Sequence, residues 1–184
     1  GNAAQAAKLM PPGSAAVLGD PSDLKWVERA ILARLRTMEE AGFAALPDGG
    51  EAEGLPARLC RAARQAGTLA DFYTLAKTRR YAHARLRRLA VCAFLGLTAA
   101  ERPAAPPYLR VLGLNAKGRA LLRQMKTACP LPVLTKPAQG KALPQPGLNL
   151  LRQEARATDL YGLCFSTPKP CGLEWTHSPV LHQP

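Results

Sequence analysis

Between Phe72 and Ala100, and again from Arg102 to Gln153, the sequence contains no aspartate or glutamate. Carboxylates that act as paired acid and base, or that hold a divalent cation, are therefore scarce in the middle of the chain. Histidine is scarce too: His83, His177 and His182 have no evident Ser or Cys partner, and nothing argues for a nucleophile–base pair. Aromatic residues make up 5% of the chain, so the 47% hydrophobic content is mainly Ala and Leu, which favour helices. No apolar run is long enough to cross a bilayer; the best, LAVCAFLGLTAA from Leu89, is broken by Gly96 and Thr98. No secretory leader is expected. The five cysteines (Cys60, Cys92, Cys129, Cys164, Cys171) form an odd, scattered set, which fits reduced thiols in a cytoplasm better than a disulfide framework.

What is abundant is positive charge. The 25 Lys and Arg against 13 Asp and Glu give a net charge of +12, a field that attracts RNA, DNA, anionic lipid or acidic proteins. Eight of the 13 acidic residues lie before Leu55, so the field belongs to the middle of the chain. Its densest stretch is KTRRYAHARLRR, Lys77 to Arg88, where six of twelve residues are Lys or Arg. On a helix from about Thr78 to Leu97, Ala82, Leu86, Leu89, Ala93 and Leu97 make an apolar stripe, with Tyr81, Arg85 and Arg88 opposite. Beyond Arg88 the segment is apolar all round, which predicts burial. One reading is a solvated face whose arginine stems cover apolar surface. Solvated helices, however, usually mix both signs, and this one lies in an acid-free region. The stretch therefore reads as an RNA-binding surface: Lys77, Arg79, Arg80, Arg85, Arg87 and Arg88 for phosphates, Tyr81 for stacking on an unpaired base.

At 184 residues the chain is one good-sized domain or two small ones. Asp20-Pro21-Ser22-Asp23 predicts a helix start capped by Asp20, with Leu24, Val27, Ile31 and Leu35 on one face and a stop near Gly42. A second helix carries Leu55, Leu59, Ala62 and Ala66 and ends on Gly67 as a left-handed cap. Thr68 with Asp71 resembles a capping box opening a third, short helix. Further on, YLRVLGL and LPVLTK read as strands around a helix capped by Asn115, a βαβ unit. QGKALPQPG reads as a loop, LNLLRQEARATDLYGL as a closing helix, and the tail from Phe165 as irregular. The expected fold is α+β and predominantly helical: a helical region with the basic helix over 1–100, then a βαβ unit with a two-stranded parallel sheet, closing helix and tail over 101–184, or both as one compact unit.

Three motifs compete for chemistry. A helix-turn-helix around Gly67-Thr68 is weak, because its second helix, LADFYTLAK, is mostly apolar. VLGLNAKG invites a phosphate-loop reading through Lys117 or Arg119, but lacks the glycines of the dinucleotide and P-loop signatures and reads as an ordinary βαβ turn. Cys164, Cys171, His177 and His182 carry zinc-type side chains without zinc-knuckle spacing, and no metal is expected there.

EGLPARL (Glu53 to Leu59), KTRRYAHARLRR, PYLRVLGLNAKGRALL (Pro107 to Leu122), LPVLTKP and RATDLY (Arg156 to Tyr161) stand in an order that resembles the C-terminal half of bacterial tRNA(Met) cytidine acetate ligases. The resemblance implies a cytoplasmic enzyme that activates acetate with ATP and acetylates the wobble cytidine of elongator tRNA(Met). It also implies an N-terminal nucleotidyltransferase domain bearing His-x-Gly-His, a motif this sequence does not contain. With the first residue being Gly1, the expectation is a fragment that lacks the catalytic domain, holds no cofactor of its own and is inactive alone. Its expected partners are tRNA and that domain, and no membrane. The rival reading is a protein-interaction or dimerisation module without direct RNA contact.

Overall fold

A computed structural model describes residues 21–50 and 54–181, together with positions 5, 8–11 and 14. Asp20 and His182 lie outside the described residues. The chain is α+β and mostly helical, with small parallel sheets.

A 3-10 turn, Leu24–Val27, leads into α1 (Glu28–Thr37). Asp23 caps that turn, its Oδ1 accepting from the Lys25 amide at 3.0 Å. Gly42 does not end this helix; it sits inside a second short one, α2 (Glu40–Ala44). Next come α3 (Leu55–Gln65) and α4 (Leu69–Ala76). Thr68 and Asp71 form the reciprocal capping box the sequence predicts, at 3.1 and 2.9 Å. Gly67 is not left-handed: α3 ends on an extended Ala66, whose carbonyl accepts from Arg36 at 2.6 Å.

The basic helix is shorter than its periodicity predicts. α5 runs His83–Leu95, and Lys77 to Ala82 form a turn. The Thr78 hydroxyl accepts from the amides of Arg80 (3.2 Å) and Tyr81 (3.3 Å), a local side-chain bond that competes with helix formation. At the other end Gly96, with φ +66°, provides the left-handed closure that a side chain resists.

α1 packs on α5, α2 on α3, and α3 on α4, around Ile31, Leu35, Phe43, Leu55, Leu59, Phe72, Leu86 and Leu89, all nearly inaccessible to water. The α5 residues beyond Arg88 are buried or half-buried, as the apolar run predicts. Burying this many large apolar side chains contributes about 1.5–3 kcal/mol each against the entropy of ordering the chain.

In the C-terminal part, β1 (Leu109–Arg110) pairs in parallel with β3 (Val133–Leu134), with α6 (Ala116–Ala128) between them. Asn115 caps α6 by accepting from the Gly118 amide at 2.9 Å. A second parallel pair joins β2 (Gly113–Leu114) to β4 (Val180–Leu181), in the tail expected to be irregular. The loop QGKALPQPG is largely ordered too: a 3-10 turn spans Pro137–Ala142, and α7 (Gln145–Tyr161) starts within its Pro-Gly end. In the tail, α8 (Leu173–Thr176) packs on α7. Tyr108, Leu134, Leu143 and Leu151 form a second, smaller core.

The two parts meet directly. The Asp23 amide donates to the Cys164 carbonyl at 2.7 Å, the Tyr161 hydroxyl to Ser22 Oγ at 3.0 Å, and Arg156 to the Gly96 carbonyl at 3.2 Å. Cys164 joins the larger core. Among the described residues no helix is long and apolar enough to cross a membrane.

Candidate nucleic-acid interface

Because Thr78 holds its turn, Lys77 to Ala82 project from between α4 and α5 rather than lying along a helix. Arg79 and Arg80 are exposed at the tip. They face α3, and together the two elements line an open cleft of about 470 Å³ with Gly54, Arg58, Arg61, Thr78 and Tyr81. Four arginines border this space, and none of its described lining residues is acidic. Two of the four, Arg58 and Arg61, lie one turn apart on α3, which puts them on the same face.

The guanidiniums differ in what they already hold. Arg58 donates to the carbonyls of Leu75 (2.8 Å), Ala76 (2.8 Å) and Lys77 (3.3 Å), satisfying the end of α4 and fixing the base of the turn. Arg85 donates to the Asp48 carbonyl at 2.8 and 3.1 Å, and Arg88 pairs with the Asp48 carboxylate at 2.9 Å. Asp48 sits at φ +63°, uncommon for a residue with a side chain, and the two arginines clamp it there. Lys77 turns back on the Thr78 carbonyl. Among the described residues, Arg61, Arg79, Arg80 and Arg87 make no ion pair. Arg87 lies near Tyr73, whose phenol burial pushes above its ordinary value, with the Arg87 charge opposing and Glu28 adding to the rise.

Of the seven residues that the sequence assigns to RNA, the structure thus leaves Arg79, Arg80 and Arg87 most open, and engages Arg85 and Arg88 with Asp48. Tyr81 departs furthest from its expected role. It is 4% exposed within the larger core, and the Arg85 guanidinium lies 5.7 Å from its ring centroid. The ring therefore offers no open face to a base. The missed residues are Arg58 and Arg61. Their signal was present as a spacing of three on a helix whose other face carries Leu55, Leu59 and Ala62.

Other candidates are not drawn together. At the phosphate-loop candidate, the Asn115 side chain already takes the Gly118 amide, so this first-turn donor is occupied. Cys164 is buried in the core while Cys171 and His177 are exposed, and no group of three or more metal-type ligands occurs among the described residues. Neither His-x-Gly-His nor a glycine-rich phosphate loop occurs in the sequence.

Fold and cleft together define a basic, mainly helical α+β protein with an arginine-lined concavity. A family model described as HIGH nucleotidyl transferase matches residues 2–172, and the chain belongs to that family. The match does not separate a catalytic from an accessory half. The chain is similar to the tRNA(Met) cytidine acetate ligase of Listeria monocytogenes serotype 4b, with 31% identity over 165 residues covering 89% of this chain and 40% of the relative. It is also similar to that of Lactiplantibacillus plantarum, with 45% identity over 114 residues covering 61% of this chain and 28% of the relative. Among solved structures it resembles Thermotoga maritima TmcAL in an apo form (TM-score 0.74, 26% identity, 86% of this chain and 40% of that one). It resembles the same protein bound with alpha-thio ATP comparably (TM-score 0.75, 27% identity, 88% and 42%). The chain thus spans at most about two-fifths of the length of these relatives.

Proposed function

We propose that this chain is the RNA-holding, non-catalytic part of a tRNA(Met) cytidine acetate ligase, and that the cleft of Arg61, Arg79 and Arg80 grips the tRNA backbone. The observation that carries the reading is the cleft itself: guanidiniums converging from α3 and the Lys77–Ala82 turn, with no acidic residue in its described lining. Arginines arranged this way suit phosphodiesters, because each planar fork donates two parallel hydrogen bonds. Arg58 positions the turn, Arg87 extends the cationic surface along α5, and Arg85 and Arg88 hold the Asp48 loop beneath it. Lys77 lies at the root of the turn.

Acetate activation belongs in this reading to an ATP-binding nucleotidyltransferase domain with the His-x-Gly-His motif that this sequence lacks. The relatives named for acetate ligation of tRNA(Met) are more than twice as long as the stretch matched here, which supports such a division of labour. The setting is a reducing cytoplasm, in keeping with five unpaired thiols.

The test is binding of an elongator tRNA(Met) transcript to the purified chain across a salt series. Contacts from Arg61, Arg79, Arg80 and Arg87 predict a log–log slope of about −3, at about −0.7 per phosphate on single-stranded RNA. Affinity that stays flat from low to moderate salt, or no binding at all, refutes the reading.

A further inference from the structure

A second concavity lies on the other part of the chain, where the 3-10 turn Pro137–Ala142, α7 and α8 come together. Its volume is about 490 Å³, and Ala138, Lys141, Leu148, Arg152 and Trp175 line it. Leu148 and Arg152 are four apart on α7 and so share a face. Trp175 packs its inner side against the core of Tyr108, Leu134, Leu143 and Leu151, and is only half-buried. Lys141 and Arg152 are exposed beside it, and neither makes an ion pair among the described residues.

The indole is held before any ligand arrives. Gly172, at φ +85°, donates its amide to Asp159 Oδ1 at 2.7 Å, and the Thr158 hydroxyl donates to Glu174 Oε2 at 2.6 Å. Both bonds pin the N-terminal end of α8 to α7, just ahead of Trp175. Glu174, next to Trp175 in sequence, is 7% exposed and pairs with Arg110, so its carboxylate is turned to the interior. The cavity wall is left as an aromatic face between two cations. Arg152 also borders an adjoining groove of about 620 Å³, where Arg102 and Arg156 are accompanied by one carboxylate, Glu101. By contrast, in the smaller cavity beside His177, Arg110 is already held by Glu154 and Glu174.

A rigid indole flanked by cations is suited to an unpaired nucleotide: the base stacks, and the neighbouring phosphates meet the charges. Such a site discriminates against duplex, whose bases are not free to leave the stack. We propose that Trp175, with Lys141 and Arg152, is a second RNA contact that stacks one unpaired base of the strand. This rests on the RNA-binding reading above, but uses residues remote from its cleft and nothing in the Lys77 to Arg88 stretch.

The chain has two tryptophans, and Trp26 is 51% exposed on its own short turn, so Trp26→Phe leaves Trp175 as the sole reporter. In that background, a uridine strand of about ten nucleotides should quench the emission saturably, and a duplex of equal length should quench it far less. Trp175→Ala should weaken single-strand binding about tenfold, the loss of one base–aromatic stack. Trp175→Phe, which keeps both the packing and an aromatic face, should restore most of it. Lys141→Glu with Arg152→Glu, both exposed, should weaken binding and quenching while the melting temperature holds. In an Arg79→Ala/Arg80→Ala variant, whatever binding remains should still quench Trp175. Unchanged emission at a strand concentration that anisotropy shows to be saturating overturns this site and leaves the cleft standing. Quenching by polyglutamate as strong as by RNA overturns it in favour of an acidic protein partner. Absence of any RNA binding overturns both.

Discussion

Replacing Arg79 and Arg80 by alanine should change how RNA binding depends on salt, and by an amount that can be worked out. Both side chains are exposed, neither makes an ion pair among the described residues, and the turn that carries them is held by Thr78 and Arg58 instead. Their loss should therefore leave the fold intact. If each meets one phosphate, the log–log slope falls by about 0.7 per arginine, from about −3 to about −1.5. At 0.15 M salt each contact then accounts for about fourfold in affinity relative to 1 M, and the pair for about 14-fold. Arg85→Ala with Arg88→Ala is the contrasting pair. These arginines bind Asp48, so their removal should cost about 1 kcal/mol of stability through the exposed ion pair and the carbonyl contacts, with a smaller change in slope. The assay is fluorescence anisotropy of labelled elongator tRNA(Met) over five or so salt concentrations, with urea melts of each variant. A slope for Arg79→Ala/Arg80→Ala equal to that of the parent refutes the cleft. A larger slope change for Arg85→Ala/Arg88→Ala would show that the Asp48 clamp opens to RNA and that the division drawn here is wrong.

Two further outcomes follow from the geometry. Thr78→Val keeps the volume and the charge but removes the acceptor for the Arg80 and Tyr81 amides; tRNA affinity should fall a few-fold with the salt slope unchanged, as a positioning effect requires, and an unaltered affinity would show that the turn is held without the hydroxyl. Glu174→Gln should destabilise the chain by about 2 kcal/mol at neutral pH, because Arg110 loses the more buried of its two carboxylates and keeps Glu154. Burial works to raise the Glu174 carboxyl, but hydrogen bonds from Thr158 and Arg110 and the charges of Arg110 and His177 outweigh it, so it stays below the ordinary value of 4.5. A carboxyl lowered in the folded state stabilises above its unfolded value and loses that contribution as pH falls through the folded one. The gap between parent and variant in urea melts should thus narrow as pH falls below 4.5 and through the lowered folded value, and a gap that stays constant down to the acid limit of folding would mean the charge on Glu174 is not what matters.

Periodicity revealed the helices and their buried faces, because Leu55, Leu59, Leu86 and Leu89 repeat at helical spacing and nothing else in those segments competes. It failed at Thr78, where a single hydroxyl bonds two amides ahead of it and turns the chain before the helix begins. That one local bond moves Arg79 and Arg80 off the helix into a projecting turn, and it allows Tyr81 to enter the core. Charge pattern likewise located the cationic region but not which cations are free. Arginines at 34, 36, 58 and 156 donate to backbone carbonyls within helices or at their ends, at Ala93, Ala66, Ala76 and Gly96. Such capping is invisible in composition, because a guanidinium reaches a carbonyl distant in sequence: Arg34 and Ala93 are 59 residues apart. The tail shows the same blindness from the other side. Strands of two residues, such as β2 and β4, carry too little alternation to read, and they exist because their partner is supplied from far along the chain.

The same reasoning explains why a chain with so much positive charge has a compact core at all. A net charge of +12 repels itself, and helices built from Ala, Leu and Arg have few carboxylates with which to offset that. Directing several guanidiniums onto the carbonyls at helix C-termini puts each beside the negative end of a helix dipole, where a cation stabilises rather than strains the fold. Cations so placed are fixed and partly screened from solvent. Among the cations left over, Arg61, Arg79 and Arg80 line one cavity and Lys141 and Arg152 another, neither with an acidic residue in its described lining, and Arg87 stands on an exposed helix face. An arginine that already holds a carbonyl has fewer donors to give a phosphate. The sorting of cations by backbone contact, more than their total, thus decides where a polyanion can sit, and it predicts that binding should be lost by touching the second set while stability is lost by touching the first.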